Sequence, residues 1–223
     1  MKARIAEIFD SIQGEGKYTG KEQIFIRFYG CNLNLCKFCD TPLTSFEEYE
    51  PKVLLDYLRL NSFDIRSISL TGGEPLVQDK FLKEFLPIAK QEGFETYLET
   101  NGTLPEALRD VIDYVDIIAM DFKLPSSTGL KGFWQEHGEF IKIATQKDVF
   151  VKAIICKSTD INDLKKAISL LSDFKNIPFI LQPNFFEFDR FLMNKIDEFK
   201  DYSLRFLPVV KVVPQLHRLV GIK

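Results

Sequence analysis

The chain has 223 residues, 45% of them hydrophobic, and sets 29 Lys and Arg against 32 Asp and Glu for a formal net charge of -3. A chain of this length buries roughly 70 to 75% of the surface its unfolded form exposes, so it needs no disulfide or metal staple to fold. The near-even charge lacks the basic footprint that nucleic acid demands, no apolar run reaches membrane length, and no signal peptide follows Met1. The expectation is therefore a cytoplasmic protein acting on small molecules, with neither nucleic acid nor membrane as partner.

Apolar runs rich in β-branched residues alternate with segments of helical period, the pattern of βα units and a largely parallel sheet. Strands are expected at residues 3–9 and 23–29, then at 67–70, 95–99, 115–120, 149–155 and 179–181, with a last one near 203–213. Helices are expected after Pro51, Asp79, Asp160 and Asp189. Phe81, Phe85, Ile88 and Ala89 line one helical face, and Ile161, Leu164, Ile168 and Leu171 line another behind the capping candidate Asp160. The chain is short for eight βα units, which predicts an α/β fold in the form of an incomplete TIM-like barrel of mostly parallel strands with outer helices. No repeat, low-complexity tract or long linker interrupts the order. Residues 1–223 are read as one domain, with segment 9–41, core 42–183 and C-terminal segment 184–223. The 21 phenylalanines are read chiefly as core, and the cluster at Phe185, Phe186, Phe188 and Phe191 would suit a homodimer interface.

Five polar or Gly-rich clusters follow these strands. Cys31 comes after 23–29, Thr71-Gly-Gly-Glu-Pro75 after 67–70, Glu99-Thr-Asn-Gly102 closes 95–99, Asp121-Phe-Lys123 follows 115–120, and Gln182-Pro183 follows 179–181. In a barrel of parallel strands the carboxyl ends share one face, and the loops there converge on one mouth.

Cys31, Cys36 and Cys39 crowd nine residues, while Cys156 ends a distant apolar stretch where a buried, inert thiol is expected. Three thiolates fall one short of a structural zinc site, whereas an iron-sulfur cluster held by three cysteines keeps one iron open. Both intervals lie within the range of zinc ligand pairs, but the two histidines, His137 and His217, form no C-x-x-H or H-x-x-H companion. A disulfide would leave an odd thiol. Elsewhere, Gly72-Gly73 lets backbone approach a ligand closely. Arg27 lies on the strand face of Phe25 and Tyr29, opposite Ile24, Ile26 and Phe28, and reads either as a ligand contact or as an ion-paired side chain. Ser11-Ile-Gln-Gly-Glu-Gly16 offers donors and acceptors for a polar heterocycle, or is an ordinary turn. The Thr41 hydroxyl suits a hard cation or a cap. Lys152, in an otherwise apolar strand, must find water, a carboxylate or a ligand.

Taken together, the cysteine loop with Asp40-Thr41, the Gly-Gly-Glu-Pro loop and the Glu99-Thr-Asn-Gly102 turn resemble the radical S-adenosylmethionine superfamily. Within it, the chain is most similar to the 7-carboxy-7-deazaguanine synthase family. Four segments carry that likeness: Phe9-Asp-Ser-Ile-Gln-Gly-Glu-Gly16, Phe25-Ile-Arg-Phe-Tyr-Gly-Cys31, Cys39-Asp-Thr41 and Pro214-Gln-Leu-His-Arg-Leu-Val-Gly221. The superfamily usually spaces its cysteines C-x3-C-x2-C; the first interval is one residue longer here, in a place where this family is known for insertions, and three thiolates can still reach a cubane.

The resemblance implies a lyase. Cys31, Cys36 and Cys39 would hold a 4Fe-4S cluster whose open iron binds S-adenosylmethionine, and one-electron cleavage would give a 5'-deoxyadenosyl radical, with S-adenosylmethionine regenerated and no side chain acting as catalyst. The substrate would be 6-carboxy-5,6,7,8-tetrahydropterin, converted with loss of ammonia to 7-carboxy-7-deazaguanine for queuosine or another 7-deazapurine. By position, Ile12, Gln13, Gly14, Glu15, Arg27, Thr71 and His217 would contact substrate, and Thr41 would ligate Mg2+. Phe38, Cys39, Asp40, Gly73, Glu99, Asp121, Phe122, Lys123, Gln182 and Pro183 would line the cofactor pocket. The family more often has Ser-Pro-Lys at 121–123, so Lys123 alone carries over by type. The implied partner is an external one-electron donor of flavodoxin or ferredoxin type. Two rivals are a glycyl-radical activase, against which Ile12-Gln-Gly-Glu15 and Arg27 speak, and a non-catalytic thiolate metal-binding module, which leaves the five clusters unexplained.

Overall fold

A computed structural model describes residues 1–33, 36–39, 41, 44–61, 64–174 and 176–221. The chain opens with β1 (Ala3–Ile12), β2 (Glu22–Phe28) and the short β3 (Glu47–Tyr49), then α1 (Pro51–Asn61). Strand and helix then alternate through β4 (Ser67–Gly72), α2 (Asp79–Gln91), β5 (Glu95–Thr100), α3 (Pro105–Val111) and β6 (Ile117–Asp121). After α4 (Pro125–Thr128) and α5 (Trp134–Ala144) come β7 (Asp148–Ile155), α6 (Ile161–Ser172), β8 (Phe179–Pro183), α7 (Arg190–Ser203), β9 (Val210–Val212) and α8 (Leu216–Val220).

Among the described residues, nine strands form one sheet in the order β3-β1-β2-β4-β5-β6-β7-β8-β9. From β2 to β9 each neighbouring pair is parallel, whereas β1 runs antiparallel to both β2 and β3. The sheet is an unclosed TIM-like barrel with helices outside, as the alternation predicted. The reversal at β1 follows from its short connection, since a parallel return needs a crossover of a dozen or more residues. The expected strand at 203–213 is corrected: α7 runs to Ser203 and β9 keeps only Val210–Val212. Leu192, Ile196, Phe199 and Ser203 are buried at helical spacing, so packing extends the helix, and Pro208 precedes the strand.

Side chains alternate across each strand, and the two faces do different work. On the outer face, Ile24, Ile26, Phe28, Ile68, Leu70, Leu98, Ile118, Met120, Val151, Phe179 and Leu181 join the core beneath the helices. Phe81 and Phe85 of α2 stack there at 5.5 Å, and each buried aromatic of this kind stabilises by roughly 1.5 to 3 kcal/mol. On the inner face, Tyr97, Ile117, Ala119, Phe150 and Ile180 form a separate apolar floor, with Tyr18 and Val213 packed against it. Toward the carboxyl ends the inner face turns polar. Arg27 lies beside Thr71 in the register of β2 and β4, and Asp121 beside Lys152 in that of β6 and β7. Among the described residues, no helix is long and apolar enough to cross a membrane.

Candidate active site

The cysteine loop is laid against its neighbours by backbone and amide contacts. The Gly73 N–H donates to the Phe28 carbonyl (3.1 Å) and that of Glu74 to the Gly30 carbonyl (2.9 Å). Gly72 has φ +124, and a Cβ there would run into the Phe28 backbone, so only glycine allows this approach. Glu74 is buried; its carboxylate accepts from Thr100 Oγ1 (2.9 Å), the Asn101 N–H (2.7 Å) and the Leu76 N–H (3.2 Å). Burial outweighs those bonds and pushes its pKa up to about 7. Asn101 Nδ2 donates to Asn32 Oδ1 (2.9 Å), and Asn32 Nδ2 to Thr103 Oγ1 (2.9 Å). The Gly-Gly-Glu-Pro loop, the Glu99-Thr-Asn-Gly102 turn and Asn32 are thus one braced unit. His137 of α5 stands behind it, its Nε2 3.1 Å from the Asn101 carbonyl and its pKa lowered by burial to about 4.

Cys36 is buried, while Cys31 and Cys39 are exposed. Desolvation raises the thiol pKa of Cys31 and Cys36, and the field of Lys123 opposes it at both. Among the described residues, no three His, Cys, Asp or Glu side chains converge as ligands of one metal ion do. The ligands of a cubane, by contrast, sit on different irons. Asp40 lies outside the described residues, and Thr41 is half-buried. Cys156 is buried, receives Asn184 Nδ2 at 3.5 Å, and is pushed up to about 11 by burial, an inert thiol as expected.

Across the mouth lies the turn that follows Ile12, the last residue of β1. Gln13 Nε2 donates to Gln23 Oε1 (3.0 Å) and to Glu99 Oε1 (2.9 Å), and the Glu99 carboxylate also accepts from Thr71 Oγ1 (2.8 Å) and Ser69 Oγ (3.4 Å). Three of the predicted positions, Gln13, Thr71 and Glu99, therefore meet in one hydrogen-bonded group. The Leu216 N–H donates to the Gly14 carbonyl (2.8 Å), and a Cβ on Gly14 would collide with the His217 ring, so the C-terminal segment caps the turn and brings His217 to it. Glu15 is ion-paired with Lys152 and accepts from Gln215 Nε2 (2.7 Å). Arg27 makes a long contact to Glu7 (3.4 Å) and stacks over Phe9, its guanidinium carbon 5.5 Å from the ring centre.

The third side is less complete. Lys123 Nζ bonds Asp121 Oδ2 (2.8 Å) and lies 5.3 Å from the centre of the Phe38 ring. Asp121 Oδ1 and both amide atoms of Gln182 are buried without a partner among the described residues. Buried polar atoms are almost always satisfied, so these fit a polar ligand entering the mouth. Pro183 ends β8 and is buried. Phe122 has its side chain in the outer core, stacked on His137 at 4.8 Å, so a ligand can meet only its backbone. Strand alternation turns it away from Asp121 and Lys123. Sequence reasoning left Lys152 without a partner and did not single out Gln215, Asn32 or Asn101. Only the lone lysine in an apolar strand carried a signal.

The model of the Radical SAM superfamily matches residues 25–176 of this chain. The 7-carboxy-7-deazaguanine synthase of Geobacter sulfurreducens is 35% identical, over 98% of this chain and 97% of its own. That of Methanocaldococcus jannaschii is 36% identical over 80% of this chain and 82% of its own. The crystal structure of QueE from Escherichia coli matches in fold with a TM-score of 0.69 at 23% identity, covering 97% of this chain and 95% of that one.

Proposed function

The chain belongs to the 7-carboxy-7-deazaguanine synthase family of the Radical SAM superfamily, and on that premise we propose that it converts 6-carboxy-5,6,7,8-tetrahydropterin to 7-carboxy-7-deazaguanine with loss of ammonia. Membership makes it a radical enzyme of 7-deazapurine biosynthesis that uses a 4Fe-4S cluster and S-adenosylmethionine. The observation that supports the substrate best is the meeting of Gln13 and Thr71 on Glu99, which sets a turn rich in donors and acceptors beside the cysteine loop.

When bound, the cluster and S-adenosylmethionine supply a carbon-centred radical able to take hydrogen from carbon. Cys31, Cys36 and Cys39 would hold the cluster, and Asp121, Lys123 and Gln182 would offer their polar atoms to the cofactor. Gln13 and Glu15 would orient the heterocycle. Arg27 would take the substrate carboxylate as a bidentate pair, a stronger contact than its long one to Glu7. Thr41 would ligate Mg2+, which could hold and polarise substrate oxygens. Substrate equals product plus ammonia atom for atom, so no net oxidation occurs and the hydrogen removed first has to be returned. The floor of Tyr97, Phe150 and Ile180 closes the site from below and keeps water from the reacting carbon. The electron would come from a flavodoxin or ferredoxin type donor in the cytoplasm. A homodimer is inferred from Phe186, Phe188 and Phe191, all exposed on one short stretch, and sedimentation velocity tests it.

The deciding experiment is purification without oxygen, cluster reconstitution, and incubation with dithionite, S-adenosylmethionine, Mg2+ and 6-carboxytetrahydropterin. Mass spectrometry should then find 7-carboxy-7-deazaguanine. Cleavage of S-adenosylmethionine without that product would show the substrate to be wrong.

A further inference from the structure

Lys152 is the one cation on the inner face of β7. It is 8% exposed, and its ammonium is ion-paired with Glu15, 137 residues away in the chain. A buried pair of this kind rarely stabilises a fold by itself, because removing both charges from water costs about as much as their attraction returns. A structural lysine is therefore a weak explanation. Glu15 sits where three segments converge: the turn after β1, strand β7, and the C-terminal segment through Gln215. A carboxylate has about four acceptor positions. Lys152 takes one on Oε2 and Gln215 one on Oε1, which leaves one on each oxygen. Two parallel acceptors held in one plane match a ligand edge carrying two adjacent N–H donors.

We propose that Lys152 is a positioning residue that acts through Glu15, fixing its carboxylate to receive the two N–H donors of an aminopyrimidinone edge. This rests on the pterin reading above and assigns that ring edge to one carboxylate and its buried counter-ion. Charged and titratable groups facing the pair are Tyr97 and Glu99 of β5, Asp121 of β6 with Lys123 just beyond it, Tyr18 of the turn, and His217 of the C-terminal segment. Burial pushes the Glu15 carboxyl up, but the charge and hydrogen bond of Lys152, with the Gln215 hydrogen bond and the field of His217, together hold it down at about 2, so the acceptor is ionised throughout the neutral range. Without Lys152, burial is opposed only by Gln215 and by the field of His217, and the carboxyl rises toward neutrality.

The test is equilibrium binding of 6-carboxypterin, an aromatic analogue with the same ring edge, to the reconstituted holoenzyme with S-adenosylmethionine present. Binding is followed by pterin fluorescence from about pH 5 to 7, the part of the titration range of a buried carboxyl freed of its counter-ion in which the ring N–H donors of the analogue stay protonated. Lys152→Met should weaken binding about 10- to 100-fold at the acidic end, with the loss shrinking as pH rises, while the wild type stays flat and Lys152→Arg recovers most of the affinity. In a Glu15→Gln background the same change should cost less than about threefold, because nothing remains to hold. Unchanged binding in Lys152→Met overturns the proposal. So does an equal, pH-independent loss in both backgrounds, which would mark a packing effect. If Lys152→Met does not fold, the comparison of Glu15→Gln with Glu15→Gln/Lys152→Met decides alone, and a further tenfold loss or more overturns the proposal. A wild type that cleaves S-adenosylmethionine but does not bind 6-carboxypterin overturns the substrate reading and this assignment with it.

Discussion

The two sides of the mouth are finished to different degrees. On the side of residues 12–16, Gln13 bonds Gln23 and Glu99, Glu15 is paired with Lys152 and Gln215, and the C-terminal segment closes over Gly14. On the strands β6 and β8 that flank Lys152, by contrast, Asp121 Oδ1 and the whole Gln182 amide are buried and bond nothing among the described residues. An unsatisfied buried polar group costs about 1 to 3 kcal/mol, so the second side carries a deficit that a ligand can relieve and the first does not. The paired side acts as a rigid template, which suits recognition of one flat heterocycle. The unpaired side gains its missing partners only on binding.

The largest expected effect removes a thiol of the cysteine loop. Cys36→Ala takes away the buried thiol of the cysteine loop and should leave no brown 4Fe-4S absorbance and turnover reduced by at least about 10³-fold, while 6-carboxypterin still binds the paired side to within about tenfold. Loss of both together would mean that the two sides are not independent. Glu74→Gln comes next. Its amide nitrogen cannot accept the Asn101 or Leu76 N–H, so the brace beneath the cysteine loop loses at least one bond inside the core, and the melting temperature should fall by the equivalent of about 2 kcal/mol.

Most of the scaffold was legible because it follows local rules. Period-two alternation marks β2, β4, β5 and β7, helical spacing marks α2 and α6, and Asp160 caps α6 by accepting from the Asn162 N–H at 2.7 Å as its position suggested. What stayed hidden was set by distant partners. β3 has three residues and exists only because β1 pairs with it, and the seven-residue α3 is too short for its period to stand out. At the site, clusters at strand ends located the mouth, but the partner of Lys152 lies across the barrel and Gln215 reaches Glu15 over 200 residues of chain. Phe122 carried over from the family only by position, and the pleat sends its side chain into the core, which leaves its backbone to meet a ligand.

Acid should loosen the paired side only at low pH. Glu15 has its pKa held at about 2, below its ordinary 4.5, so the stability it contributes is fully present above that ordinary value and is lost as pH falls through the folded one. Measured as the difference in melting temperature between wild type and Glu15→Gln/Lys152→Met, that contribution should shrink between about pH 4.5 and pH 2, because only the wild type carries this titration. A difference that stays constant across the window would mean that the pair is held by packing rather than charge.

The smallest effect has the most informative sign. Gln182 is fully buried on the inner face of β8, and its amide has no partner among the described residues. Replacing a buried, unsatisfied amide with an apolar group of similar size removes a desolvation penalty, so Gln182→Leu should stabilise the ligand-free protein by about 1 kcal/mol. The same change should weaken S-adenosylmethionine binding by about tenfold if the amide is kept for that ligand. On the paired side the signs run the other way, since removing Gln215 from Glu15 strips a partner from a buried carboxylate and destabilises the protein without ligand. Thermal melts with and without S-adenosylmethionine separate the two behaviours. Destabilisation by Gln182→Leu in the absence of ligand would show that the amide already has a partner in solution, and that this side of the mouth is as complete as the other.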